Sequence, residues 1–246
     1  MQQANQQPIP SVWTRPRRQR EPLTRERIVA EAVQLLDAEG IEALSMRSLG
    51  SRLNAGATSI YRHVANRDEL IELVVDEVYG ELRIPTVTDR TQWRAAAAEA
   101  ANSLRAMALR HPWVASVLGQ VGLSHLGPNV MQMSDQMLAI FEAAGFSPQE
   151  TDRVMSTVVA YVIGVATSEA AYLSMIARSG STERDWVDSL RPALEEATRD
   201  HPRLAEGHAA QKGKDPRKVR DETFDYGLQC TLDGLEVRLA RNNSSA

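Results

Sequence analysis

Apolar positions along this chain recur at helical spacing. From residue 23 onward, Ile28, Ala32, Leu35 and Leu36 form one stripe, and Val29 and Val33 widen it. Thr24 is the expected cap of that helix, with Leu23 and Ile28 as staple partners, and Gly40 is its stop. Residues 44–70 then read as three short helices. Ser45 caps the first, Leu44 and Leu49 make a staple pair, and Leu49 and Leu53 share the inward face. Asn54-Ala55-Gly56 supplies a tight turn, since Asn and Gly tolerate positive φ. The next helix runs from Ala57 to about His63. It turns Ile60 and Val64 inward and Thr58, Ser59, Tyr61, Arg62 and His63 outward. Asn66 with Glu69 is a second capping signal, opening a helix from Arg67 to about Leu82 that Pro85 closes. Helix, tight turn and short polar helix make a helix-turn-helix.

Beyond Pro85 long helical patterns alternate with breakers. Thr91–Arg110 is Ala-rich and ends before His111-Pro112, and Trp113–Leu118 is a short piece. Gly127-Pro128 opens a helix lasting to Ala144, with Met131, Leu138 and Phe141 among its apolar positions, and Gly145 closes it. Ser147-Pro148 starts the next, because Ser caps and Pro suits the first helical position. That helix reaches about Ala177 and is apolar nearly all round, which predicts burial on most sides. Trp186–Asp200 is amphipathic, 201–216 reads as a mobile polar loop, and Arg217–Arg241 is the last helix. No strand pattern or internal repeat occurs, so the expected fold is all-α.

In the last helix Leu228, Leu232, Leu235 and Leu239 are flanked by Gly227, Thr231 and Gly234. A glycine inside a helix costs about 1 kcal/mol against alanine. Close approach of another helix offsets that, either from the same chain or from a second copy.

Charge sharpens the picture. The 246 residues carry a net charge of −4, but residues 1–67 hold ten Arg against six acids, a net of +4, leaving −8 for the rest. A basic front suits contact with phosphate at one end, and solvated helix faces are the plainer reading. Residues 1–22 are rich in Gln, Pro and Arg without periodicity and read as a disordered arm. Its Arg15, Arg17, Arg18 and Arg20 either reach a phosphate or minor groove or simply keep a tail in solution. One cysteine, Cys230, excludes an intrachain disulfide and reads as a buried, inert thiol. No apolar run is read as a membrane span and no signal segment is visible, so a cytoplasmic location is expected. Metalloprotease, P-loop, dinucleotide and nucleophile-elbow motifs are missing. His63, His111, His125, His201 and His208 lack metal spacing. The expectation is a non-enzyme without cofactor or metal.

Residues 23–80 resemble the DNA-binding domain of the tetracycline-repressor-like (TetR) family of bacterial regulators. Ile60-Tyr61-Arg62-His63-Val64 and Asn66-Arg67-Asp68-Glu69-Leu70 carry the likeness. From about Arg110 to Leu239 the chain resembles the family's tetracycline-repressor branch. Here the carriers are Arg110-His111-Pro112-Trp113, Gly127-Pro128-Asn129, Ala144-Gly145-Phe146-Ser147, Tyr161-Val162-Ile163-Gly164 and Phe224 to Leu235. The resemblance implies DNA contacts from Arg47, from Ala57, Thr58 and Ser59 at the start of the reading helix, from Tyr61 and His63, and from Arg67 on phosphate. Ala57 and Asn54 depart from the common pattern and leave the operator sequence open.

The resemblance also implies three parts. Residues 1–22 would be the arm, 23–83 the DNA-binding domain, and 84–246 a ligand-binding and dimerisation domain. A small hydrophobic ligand would be lined by Trp113, Met133, Met137, Phe141, Met155 and Tyr161, which core packing alone would also explain. Ser147–Ala177 and Arg217–Arg241 would pair with their copies in a homodimer, with Gly227, Leu228, Thr231, Gly234 and Leu235 at the contact. The expected protein is a repressor released from a palindromic double-stranded operator by that ligand. A regulator without a small-molecule inducer and a helical enzyme or adaptor are the alternatives.

Overall fold

A computed structural model describes residues 22–118 and 127–244. The arm read over residues 1–22, all but its last residue, and His125 lie outside the described residues. Among the described residues there are eleven α-helices and no strand.

The first four helices build a small head. Helix α1 (Arg25–Glu39) is capped by the Thr24 side chain, which accepts from the Arg27 N–H, and it buries Ile28, Val29, Ala32, Leu35 and Leu36. A 3-10 turn at Ile41–Ala43 leads to α2 (Met46–Arg52), where Ser45 and Ser48 cap each other's backbone. Asn54 takes the positive φ of the turn, +50°, while Gly56 stays extended. Regular helix in α3 (Ala57–Ile60) stops sooner than the pattern suggested, and single turns carry the chain to His63. In α4 (Arg67–Tyr79), Asn66 accepts from the Glu69 N–H, and the helix ends at Gly80 rather than near Leu82.

The other helices form the body. They are α5 (Trp93–Arg110), α6 (Trp113–Leu118), α7 (Pro128–Ala144), α8 (Pro148–Ser179), α9 (Glu183–Ala197), α10 (Pro202–Gln211) and α11 (Pro216–Ser244). Its centre is the packing of α5 on α8 and α7, with Trp93, Phe141 and Phe146 meeting edge to face at 6.2–6.4 Å between centroids. Helix α10 corrects the loop expected over 201–216. Pro202 at its first position and an Ala-rich run favour helix, but it buries no side chain and so shows no apolar period.

Helix α8 also differs from expectation. By length and composition alone it could cross a bilayer. In the fold Val154, Val158, Val162, Ala166 and Ala170 face inward at four-residue spacing, whereas Ser156, Thr157, Ala160, Gly164, Thr167, Ser168 and Ala171 lie open. Its outer side is small and polar, not buried on most sides.

Candidate nucleic-acid interface

Two features of the backbone set the reading helix. The α2–α3 turn closes through Ala55 N–H on the Gly50 carbonyl at 2.9 Å. A Cβ at Gly50 would lie 2.8 Å from the Ala55 oxygen, so only glycine lets the turn come that close. Ile60 and Val64 then plug the head's core, at 0% and 1% exposure. With those two pointing in, helical geometry turns Thr58, Tyr61 and Arg62 to solvent, and leaves Ser59 and His63 half-exposed. Tyr61 is 53% exposed, which rules out the core aromatic that its type alone would suggest.

Cations surround this face. Arg47 and Arg62 are exposed and have no ion-pair partner among the described residues. Arg25 is tied back, with Nε donating to the His63 carbonyl at 3.3 Å and Nη2 3.6 Å from Glu69. Arg67 donates from Nε to Leu44 O and from Nη2 to Ile41 O, both at 3.1 Å. It therefore braces the start of α2 on α4, and only its remaining donors are free for phosphate. A brace of this kind is compatible with a phosphate contact from the remaining donors.

In the body a narrow apolar crevice lies beneath the end of α4. Leu82 and Ile84 line it from the head side, Ala100, Ala101 and Leu104 from α5, Met133 and Met137 from α7, and Val158, Val159 and Val162 from α8. Its interior space is about 10 Å³, room for about one water and far too little for a drug-sized ligand. Elsewhere the body buries an ion network. Arg105 Nε and Nη2 donate to the two Glu169 oxygens at 2.9 and 2.8 Å, and Arg105 Nη1 meets Asp221 at 2.9 Å. Arg220 donates to Glu169 at 2.8 Å and pairs with Glu183. The Arg105 guanidinium also stands 4.6 Å from the Phe224 ring centre.

Residues 28–74 match the bacterial regulatory proteins of the tetR family, and residues 85–239 match the tetracyclin repressor-like C-terminal domain. The chain belongs to the TetR family. It is a DNA-binding transcriptional regulator with an all-helical fold, in a non-enzymatic family.

Among TetR-family relatives, the transcriptional repressor DrrR1 of Streptomyces coeruleorubidus is 33% identical over 91% of this chain and 81% of its own. The structure of ActR from Streptomyces coelicolor in complex with actinorhodin aligns with a TM-score of 0.71 at 30% identity, covering 87% of this chain and 95% of ActR. BioQ with its natural double-stranded DNA operator aligns with a TM-score of 0.56 at 29% identity, covering 69% of this chain and 98% of BioQ.

Against this TetR-family fold the expected ligand residues divide. Met133 and Met137 line the crevice. Trp113 does not: it is 3% exposed and its Nε1 donates to Asp37 of α1 at 2.7 Å. Phe141 is fully buried against Trp93 and Phe146. Tyr161 is turned to α11, donating its hydroxyl to Phe224 O at 2.8 Å, and Met155 is packed partly buried against the core. Size and apolarity suggested these residues, and the same properties make a core.

The expected dimer residues divide likewise. Leu228 and Leu235 are buried within the chain at 0% and 8% exposure, packed against its own core. Gly227 is the site of a close approach, but its neighbour is Tyr161 of the same chain, whose ring a Cβ would overlap. Thr231 is half-exposed and bonds back to Gly227 O. Gly234 has open space above it. The outward stripe of α11 is instead Tyr226, Cys230, Gly234 and Val237. Cys230 is thus exposed, not the buried thiol expected, because it lies opposite the leucine stripe.

Gly50 and Arg62 are the residues missing from the expected site. A lone glycine within a helical pattern was the available signal for Gly50. Arg62 was visible as outward-facing, but that it has no ion-pair partner among the described residues needed the fold.

Proposed function

We propose that the chain is a homodimeric repressor whose α3 enters the major groove of a palindromic operator. In this reading residues 23–83 are the reader, and residues 84–246 hold the ligand and the partner. Arg47, Ala57, Thr58, Ser59, Tyr61, Arg62 and His63 make the DNA contacts, with Arg67 mainly a brace. The observation that carries the reading is the exposed polar face of α3, with Tyr61 out and Ile60 in, beside Arg47 and Arg62, which have no ion-pair partner among the described residues. Hydroxyls and guanidinium groups there suit phosphate and base edges. BioQ's operator complex and DrrR1's naming as a repressor support it. Such a protein works where the DNA is, in the bacterial cytoplasm.

The open faces of α8 and α11 support the dimer. Small residues on α8 allow close helix approach, and Tyr226 and Val237 on α11, at 75% and 52% exposure, offer apolar area. Two copies related by a two-fold axis would present two reading helices to two half-sites. The inducer proposed is a small apolar molecule entering the crevice, as ActR's complex with actinorhodin supports. The crevice is closed, which favours a second reading, a regulator without a small-molecule inducer.

Selection of bound sequences from random DNA, followed by sedimentation of the complex, tests the proposal. A palindromic consensus bound by two copies is expected. Recovery of no enriched sequence at moderate salt would remove the reading. A thermal-shift screen of apolar compounds separates the two ligand alternatives.

A further inference from the structure

The end of α4 is joined to the start of α7 by a set of polar contacts. Asp76 Oδ1, from α4, accepts the backbone N–H groups of Asn129 at 2.9 Å and Val130 at 3.0 Å. It thus caps α7 from another helix, which has no capping side chain of its own at Gly127. Asn129 Nδ2 donates to Asp76 O at 3.0 Å and to Asp76 Oδ2 at 3.2 Å. Two glycines leave room for these bonds. A Cβ at Gly127 would overlap the Asp76 carboxylate, and one at Gly80 would come within 3.0 Å of Asn129 Nδ2. The Gly127-Pro128-Asn129 run is therefore the α7 side of a fitted joint.

Helix α7 carries Met133 and Met137 into the crevice one and two turns beyond the joint, and Leu82 and Ile84 line the same crevice just after α4. Any group that swells the crevice pushes on α7. A carboxylate holding two N–H groups of that helix resists separation, so α4 must follow or the cap must break. At its other end α4 starts with Arg67, which holds Leu44 O and Ile41 O beside α2.

We infer that Asp76 is the positioning residue that converts expansion of the crevice into movement of the reading head. The inference rests on the proposed link between crevice and operator and names the residue that carries it. Other ties join head and body: Asp37 of α1 accepts from Trp113 and meets His111 Nδ1 at 2.7 Å, and Glu81, just after α4, meets His111 Nε2 at 3.2 Å and pairs with Arg110. Their body-side partners lie neither on α7 nor among the crevice-lining residues, so these ties anchor the head without transmitting.

The test needs no ligand, because a side chain can fill the crevice. Ala101→Leu places bulk beside Met133 and Met137, and Ala100→Val is a milder version should the first fail to fold. Operator affinity of the full-length protein is measured for each filling variant in the parent, in Asp76→Ala, in Gly127→Ala and in Asp37→Asn, with circular dichroism checking the fold. In the parent, filling is expected to weaken operator binding by about tenfold, within the usual range of allosteric coupling. Asp76→Ala and Gly127→Ala should each reduce that factor to about two or less, and Asp37→Asn should leave it intact. An unchanged factor in both joint variants would overturn the role of Asp76 while leaving the crevice–operator link standing. Loss of the factor in Asp37→Asn alone would move the role to α1. No effect of filling in the parent would overturn the inference together with the reading beneath it.

Discussion

The head and the body dispose of their polar groups in opposite ways. Among the described residues of α1 to α4, every buried side chain is apolar, from Ile28 through Tyr79, and the charged ones lie at the surface. Burial pushes the Tyr79 phenol up to about 12, so it too stays neutral. The body buries Arg105, Glu169, His111, Thr151 and Thr198, and it keeps a crevice that is shut. The head therefore separates stability from recognition. In the proposed reading its core can stay constant while Thr58, Tyr61 and Arg62 change the DNA read. On that reading the same residues of the body serve packing and response, so a change at one alters the other. An element meant to move gains from a joint that can break, and buried polar contacts supply it.

The largest expected effect lies in the body's ion network. Glu169→Ala leaves Arg105 with an incomplete set of partners in a buried site, and loss of about 3–5 kcal/mol of stability is expected in urea unfolding. Burial raises the Glu169 carboxyl, but hydrogen bonds from Arg105 and Arg220 outweigh it and hold the group below its ordinary 4.5. An unfolded chain takes up that proton first as pH falls. The stability contributed is complete above about pH 4.5 and is lost as pH falls through the lower folded value. Glu169→Gln should flatten this acid dependence, and an unaltered pH profile would show that the network does not govern it.

Phe141→Ala comes next. Loss of a fully buried ring between Trp93 and Phe146 should cost about 3–5 kcal/mol in the melting of the whole chain. A normal melting temperature would return Phe141 to the ligand set.

Tyr61→Ala inverts the comparison. It should leave stability within about 0.5 kcal/mol, as an exposed substitution does, and weaken operator binding by about 1–3 kcal/mol. Destabilisation without loss of affinity would move Tyr61 into the core.

Gly234→Leu tests the open face of α11. A Cβ there meets nothing within 4 Å among the described residues, so a cost of about 1–3 kcal/mol per overpacked contact would point to a second copy. Sedimentation should shift toward monomer with helicity retained, and an unchanged dimer would place the interface elsewhere. The smallest effect belongs to Arg62→Ala, which should lower the salt slope of operator binding by about one phosphate while leaving stability untouched.

Ile28, Leu35, Leu49, Ile60 and Val64 announced the head through spacing alone, and Thr24, Ser45, Asn54 and Asn66 marked its helix ends, each in its expected role. These are local effects: a period fixes which side turns inward, and a cap fixes where a helix begins. The outward set at α3 followed from the same period. What stayed hidden depends on residues far apart in the chain. Leu228 and Leu235 could face their own chain or a copy, and the same spacing serves both. Gly227 proved to meet Tyr161, and Trp113 to meet Asp37, across separations that no period encodes. Sequence by itself determined most of the helices, the head and its outward face, because those follow from interactions within a few residues, but it did not show α10, which buries no side chain and so carries no apolar period. Only the tertiary structure decided which apolar side chains fill the core and which line the crevice, which glycine lies open, and that Asp76 holds α7. Those outcomes depend on which helices meet, and the pattern along one helix does not specify its neighbour.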